Sequence, residues 1–227
     1  MTRKTLETHL RELRSELQDL GAWVVQAAQN AMDALKRQDL DAARRVYDHD
    51  QVINAKRYAI EQQALITIAT QQPMAHDLRF LASVLDIAGE LERMGDYAKG
   101  IAKITLLLGH QPLIKPLIDL PRMTDLATDM LQRALTAFLE GDVEAARRIP
   151  REDDLVDQLY NQIYRELIAI MLQRPQTIDQ ANFLIWAAHN IERFADRVTN
   201  ICERTIFTVT GEMVELDISD DAKPDVA

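Results

Sequence analysis

Apolar residues recur every three or four positions along most of the chain, which is the spacing of one face of an α-helix. Prolines and glycines interrupt this pattern between helices, and Pro150 should kink or split one of them. The pattern predicts six long helices, over about residues 4–36, 41–72, 75–108, 123–139, a fifth between Asp142 and Pro175, and 178–210.

Two stretches occur twice in the same order. Glu90–Ile101 returns as Asn190–Ile201, and both copies carry a glutamate followed four residues later by an aspartate. Ala42–Val46 returns as Ala145–Ile149. The chain is therefore a tandem repeat with a period of about a hundred residues.

The composition agrees with a helical fold. Seven glycines, seven prolines and 5% aromatic residues are typical of helices rather than of a sheet protein with many turns. We expect an all-α protein of two tandem antiparallel three-helix bundles, because no helix has enough apolar surface to stand alone. The predicted units are a first repeat (1–108), a linker (109–121), a second repeat (122–211) and an acidic, disordered tail (212–227).

The formal net charge of -10 narrows the possible partners. Nucleic acid is disfavoured, because phosphate backbones require a basic surface and no block of Lys and Arg is present. A single cysteine, Cys202, excludes an internal disulfide and favours a reducing compartment. No run approaches the ~18 apolar residues of a membrane span, and the N-terminus lacks the apolar stretch of a signal peptide. We expect a cytoplasmic protein that meets membranes only through partners.

Pairs of acidic or amide side chains, four residues apart, recur on two helices of each half. This spacing puts both side chains on one helix face, within reach of a common cation. Like charges beside a buried face repel each other unless a cation or a proton neutralises them. Oxygen ligands without a thiolate cluster suit Mg²⁺, Mn²⁺ or Fe. The candidate metal ligands are Asp50, Asn54, Glu92 and Asp96 in the first half, and Asp153, Asp157, Glu192 and Asp196 in the second.

A simpler interpretation is that these carboxylates are solvated boundary residues, bridged to Arg93 or Arg193. It is the better one for an isolated pair, whereas recurrence in both halves favours metal. His189 lies three residues before Glu192, and we expect it to be a partly buried polar residue rather than a ligand.

Enzymatic functions have little support. A ferritin-like di-iron protein needs Glu-x-x-His on two helices, and none of the five histidines follows a glutamate at that spacing. The sequence also lacks a glycine-rich phosphate loop after a strand, a Gly-x-Ser-x-Gly elbow and a Cys/His dyad. It therefore predicts a regulator or adaptor.

The repeated motifs resemble those of a known family. Leu91–Asp96 and Ile191–Asp196 resemble the paired Glu-x-x-x-Asp signature of the PhoU family, and Gln72–Arg79 resembles the segment that opens its third helix. The resemblance covers roughly residues 1–210. It implies two three-helix bundles, each able to bind a metal ion or a multinuclear metal cluster. It also implies a homodimeric negative regulator of phosphate uptake and starvation signalling, placed between the ATPase subunit of a phosphate ABC transporter and a sensor histidine kinase.

Three positions depart from the family pattern or from the repeat. Asn54 stands where the second copy has Asp157, and Gly100 stands where it has Asn200. Arg197 replaces a residue that is often histidine in the family, and we expect it to put positive charge beside the second acidic pair. The alternative function is a cytoplasmic helical adaptor without functional metal.

Overall fold

The computed structural model describes residues 3–216, which fold almost entirely into helices. The α-helices are α1 (Arg3–Arg37), α2 (Leu40–Gln71), α3 (His76–Leu108), α4 (Asp119–Glu140), α5 (Val143–Arg148), α6 (Asp153–Gln173) and α7 (Ile178–Thr210). Helices α1–α3 form one bundle and α4–α7 the other. The predicted all-α fold of two three-helix bundles is confirmed.

The interruption predicted at Pro150 is present. Helix α5 ends at Arg148, and a single 3₁₀ turn, Ile149–Glu152, joins it to α6. Proline cannot donate the backbone hydrogen bond that a continuous helix needs at this point. The segment between Asp142 and Gln173 therefore corresponds to α2 of the first half, with a break in it.

Helix α4 begins four residues earlier than the sequence pattern predicts. It starts at Asp119 rather than Met123, so Pro121 lies in its first turn instead of in the linker. A proline is tolerated there because the first backbone N–H groups of a helix have no intrahelical partner.

The repeat extends to the helix caps. The Asp39 carboxylate accepts a hydrogen bond from the backbone N–H of Ala42 at 2.8 Å, and that of Asp142 accepts one from Ala145 at 2.9 Å. Each cap satisfies one of the free N–H groups at the start of α2 or α5. Both halves thus begin their second helix in the same way.

The two bundles share one hydrophobic core. Helix α1 packs against α4, and α3 packs along α7. Gly21 of α1 permits the first contact, because a Cβ there would lie 2.1 Å from Leu135 Cδ1 of α4. The buried rings of Phe80 on α3 and Phe138 on α4 stack with centroids 5.5 Å apart. The halves are therefore packed together rather than linked loosely.

The chain leaves α7 at Gly211, whose φ of 83° favours glycine. The following residues up to Leu216 are not helical, and the backbone N–H of Leu216 donates to the Glu203 carboxylate at 2.9 Å. Most of the predicted disordered tail, 217–227, lies outside the described residues. Among residues 3–216, no helix combines the length and the apolar character needed to cross a membrane.

Candidate functional site

The first acidic cluster lies where α2 packs against α3. Asp50 of α2 is only 2% exposed. Its Oδ2 atom accepts a hydrogen bond from the Asn54 amide at 3.2 Å, as expected for side chains one turn apart. The same atom accepts a hydrogen bond from the ammonium group of Lys99 on α3, at 2.6 Å. Asp50, one member of the predicted pair on α2, is therefore already paired with a cationic side chain.

Lys99 is held by three groups of the first half. Its Nζ atom lies 2.6 Å from Asp50 Oδ2, 4.0 Å from Asp96 Oδ1 and 5.4 Å from the centroid of the Tyr47 ring. The hydrogen bond to Asp50 is the largest cause that raises the pKa of Lys99, so the ammonium stays charged. Lys99 was not among the residues predicted from the sequence. The repeat contains a signal for it, because the second copy has an uncharged residue, Thr199, at the equivalent position.

Glu92 and Asp96 form the second predicted pair of this half. Burial raises the pKa of Glu92, and the nearby charge of Asp96 raises it further, while Arg57 opposes the shift. Burial and the charge of Asp50 likewise raise the pKa of Asp96, whose side chain is 51% exposed. The three carboxylates therefore act on one another, and water screens Asp96 the most.

The second acidic cluster lies between α6 and α7. Asp153 and Asp157 are half-buried in the first turns of α6, and Glu192 and Asp196 are half-buried on α7. Tyr160 of α6 faces this part of α7, with its ring centroid 6.1 Å from that of His189. Burial raises the pKa of Tyr160, and the nearby charge of Glu192 raises it further. The structure therefore brings the two helices that carry the predicted ligands together.

His189 accompanies Glu192 rather than completing a ligand set. Its Nδ1 atom lies 3.0 Å from Glu192 Oε2, and its ring centroid lies 6.1 Å from that of Tyr160. The histidine side chain is 52% exposed, so it is less buried than we expected from the sequence.

Arg197 lies close to a carboxylate of the other half. Its Nη1 atom lies 3.7 Å from Oε2 of Glu90 on α3, in the other half. Arg193 also crosses the boundary, with its guanidinium carbon 5.0 Å from the centroid of the Tyr97 ring. Because α3 and α7 pack along each other, side chains near each motif reach the opposite half. The arginines suggested as bridges for the acidic pairs contact other groups, and Arg93 pairs with Glu90 at 2.9 Å.

Gly100 is explained by the same helix pair. A Cβ at this position would lie 2.9 Å from Oδ1 of Asn190 on α7. A side chain of the size of Asn200, its repeat partner, would collide with α7 unless Asn190 moved. The departure from the repeat at Gly100 therefore serves packing between the halves.

Neither cluster is a ready-made metal site. Within the described part of the chain, no three His, Cys, Asp or Glu side chains are grouped so that they could hold one metal ion. In the first cluster, Lys99 also forms an ion pair with Asp50, one of the predicted metal ligands. Ions that keep several of their waters, such as Mg²⁺, are often held in proteins through only one or two carboxylates. Metal binding by the eight candidate ligands stays a prediction.

Comparison with known proteins places the chain in a family. The family model of the PhoU domain matches residues 17–105 and 120–205, once in each half. The chain belongs to the PhoU family. A relative in Clostridium acetobutylicum, named as a phosphate-specific transport system accessory protein PhoU homolog, is 34% identical over 221 residues, covering 96% of this chain and 100% of the relative. The Escherichia coli protein, named phosphate-specific transport system accessory protein PhoU, is 37% identical, covering 89% and 84%.

Solved structures of PhoU proteins have the same architecture. The phosphate transport system regulatory protein PhoU of Streptococcus pneumoniae superposes with a TM-score of 0.86 at 34% identity, over 93% of this chain and 100% of that one. PhoU of Pseudomonas aeruginosa gives the same TM-score at 30% identity, over 91% and 99%. The shared fold therefore extends across both PhoU domains.

Proposed function

We propose that this protein is a regulatory accessory protein of a phosphate-specific transport system. The observation that carries the proposal is the PhoU match in both halves, together with relatives that are named accessory proteins of that system. The shared core supports it as well, because two bundles packed into one body suit a protein that relays the state of one partner to another.

In this proposal the protein restrains phosphate uptake and starvation signalling when phosphate is plentiful. It works in the cytoplasm by binding the ATPase subunit of the phosphate ABC transporter and the sensor histidine kinase of the phosphate response. These partners come from the family resemblance, and so does the proposed homodimer. Light scattering of the purified chain tests the dimer, for which we expect twice the monomer mass of 25.9 kDa.

Deletion of the gene tests the regulatory role. Transcription of phosphate-starvation genes should become high even in phosphate-rich medium, and the wild-type gene supplied in trans should restore repression. Unchanged repression in the deletion strain would reject the phosphate role. The purified chain should also retain both the ATPase subunit and the cytoplasmic part of the kinase on an affinity column. Loss of repression without either interaction would leave a regulator with other partners.

Metal binding is a separate proposal that concerns the second half. We propose that Glu192 and Asp196, with Asp153 and Asp157 on the facing helix, bind a divalent or iron ion, Mg²⁺, Mn²⁺ or Fe. Support comes from their half-buried position and from the ligand preferences of these ions.

Elemental analysis of the untagged protein tests this metal site. Wild-type protein should carry metal, and the Glu192→Ala/Asp196→Ala variant should lose it. The control is Asp179→Ala, which removes an exposed carboxylate from the same helix and should change nothing. Absence of metal from wild-type protein, after incubation with each ion, would favour the alternative function of a helical adaptor without functional metal.

A further inference from the structure

The ammonium group of Lys99 occupies the position where a cation would contact the first acidic cluster. It donates to Asp50 Oδ2 at 2.6 Å and lies 4.0 Å from Asp96 Oδ1, so it lies between carboxylates of both helices. The face of the Tyr47 ring, 5.4 Å away, adds a favourable cation–π contact. The Asn54 amide donates to the same Asp50 oxygen and helps to orient it.

Asp50 needs a positive partner more than the other carboxylates do. It is 2% exposed, whereas the side chain of Asp96 is 51% exposed. A buried carboxylate without a compensating charge is strongly destabilising, because it has lost its hydration. Lys99 supplies that charge from within the chain, so the neutralisation of Asp50 does not depend on the metal concentration in the cell.

A metal ion and Lys99 compete for the Asp50 carboxylate at this position. Lys99 donates to Oδ2 of Asp50, which leaves a metal ion only the buried Oδ1 atom of that carboxylate. An ammonium group has three donors and no lone pair, so Lys99 cannot itself bind the ion. Two positive charges a few ångströms apart also repel each other strongly in a partly buried site. The repulsion therefore disfavours a metal ion at Asp50 as long as Lys99 stays in place.

We infer that Lys99 is the resident cation of the first acidic cluster, so that the first half of this protein binds no metal ion and is stable without one. The second copy of the repeat has Thr199 at the equivalent position, and a threonine carries no charge. The inference concerns the first half alone, and it stands or falls independently of the regulatory function and of the metal proposal for the second half.

The test uses the full chain with Glu192→Ala/Asp196→Ala, which removes the second-half pair from the measurement. To this background we add Lys99→Met, which keeps the length of the side chain without its charge, or Lys99→Thr, which copies the second half. The control is Lys103→Met, which removes a charge from an exposed lysine one turn further along α3. Mn²⁺ content by elemental analysis and thermal unfolding with and without Mn²⁺ are the two readouts.

We expect the background protein and the Lys103→Met control to take up no Mn²⁺ and to unfold at the same temperature with or without it. Lys99→Met should lower Tm by roughly 5–10 °C in the absence of metal, because Asp50 loses its partner. It should also bind about one Mn²⁺ per chain and recover most of the lost Tm, since the freed carboxylates are hard oxygen ligands. Asp96→Ala added to Lys99→Met should weaken that uptake.

Two results would overturn the inference. One is stoichiometric Mn²⁺ in the background protein that disappears with Asp96→Ala, since metal would then bind beside Lys99. The other is a Lys99→Met protein that keeps its Tm and takes up no Mn²⁺. If Lys99→Met does not fold, Lys99→Met/Asp50→Asn decides: removal of both charges should restore folding, and failure to do so would show that Lys99 acts through packing instead.

Discussion

Replacement of Phe80 by alanine should destabilise both halves of the protein together. Phe80 of α3 is 1% exposed and stacks on Phe138 of α4, with centroids 5.5 Å apart and ring planes at 10°. The guanidinium carbon of Arg14 on α1 lies 4.3 Å from the centroid of the Phe80 ring. This one side chain therefore contacts helices of both bundles.

The size of the effect follows from the burial. Removal of a fully buried phenylalanine side chain costs about 3–5 kcal/mol, through lost burial and the cavity that remains. The aromatic pair accounts for about 0.5–1.5 kcal/mol of that cost. In a chain of this length each kcal/mol lowers Tm by roughly 2–4 °C, so we expect a decrease of about 6–20 °C.

The two tryptophans allow each half to be followed separately. Trp23 lies on α1 and Trp186 on α7, and the chain has no other tryptophan. Chemical unfolding of Trp23→Phe and Trp186→Phe proteins, each with and without Phe80→Ala, reports on one half at a time. Because the core is shared, both probes should show one coincident transition that shifts equally.

The control for this experiment is Leu78→Ala, on the same helix but 43% exposed, which should cost much less than Phe80→Ala. A shift confined to the Trp186→Phe protein, in which only Trp23 reports, would refute the argument. It would mean that the bundles unfold as independent domains and that the packing between them contributes little stability.

Three further predictions follow from single side chains. Burial raises the pKa of Glu92 above 4.5, so its charged form destabilises the fold; Glu92→Gln should raise Tm at pH 7, and the gain should vanish as the pH falls below 4.5. Burial raises the pKa of Cys202 to about 12, so a thiol reagent at pH 8 should modify it only after unfolding. Asp142→Ala removes the cap on the Ala145 N–H and should cost about 1 kcal/mol in chemical unfolding.

Each of these predictions has an opposite outcome. A lower Tm for Glu92→Gln at pH 7 would mean that the carboxylate makes a favourable interaction that outweighs its burial. Modification of Cys202 in the native protein, at the rate of an exposed thiol, would show that α7 opens locally. An unchanged stability for Asp142→Ala, with Asp39→Ala as the matched variant in the other half, would show that water replaces the cap.

The two halves differ at a pair of equivalent grooves, each between the first and second helices of one half. The groove in the first half has a volume of about 550 Å³ and is lined by Trp23, Asn30 and His49 among others. In the second half, Arg133 and Glu152 take the positions of Asn30 and His49, and Arg133 Nη1 donates to Glu152 at 2.8 Å. Arg133 lines the second groove, whose volume is about 280 Å³.

The sequence by itself determined the helices, the repeat and the family. Helical periodicity and proline are local properties of the chain, so most helix bounds and the break at Pro150 could be predicted from neighbouring residues alone. The acidic pairs could be found in the same way, because residues four apart share a helix face. The start of α4 was wrong because a proline in a first turn and a proline in a linker look alike in sequence.

Tertiary structure decided which charges meet. Lys99 and Asp50 are far apart in sequence, and so are Arg197 and Glu90, so neither contact could be predicted before the packing of α2, α3 and α7 was known. Arg197 reaches across to Glu90 of α3, and the expectation that it puts positive charge beside the second acidic pair stays a prediction. A single shared core brings these helices together, and only the folded protein shows that Lys99 meets Asp50 at the first acidic cluster.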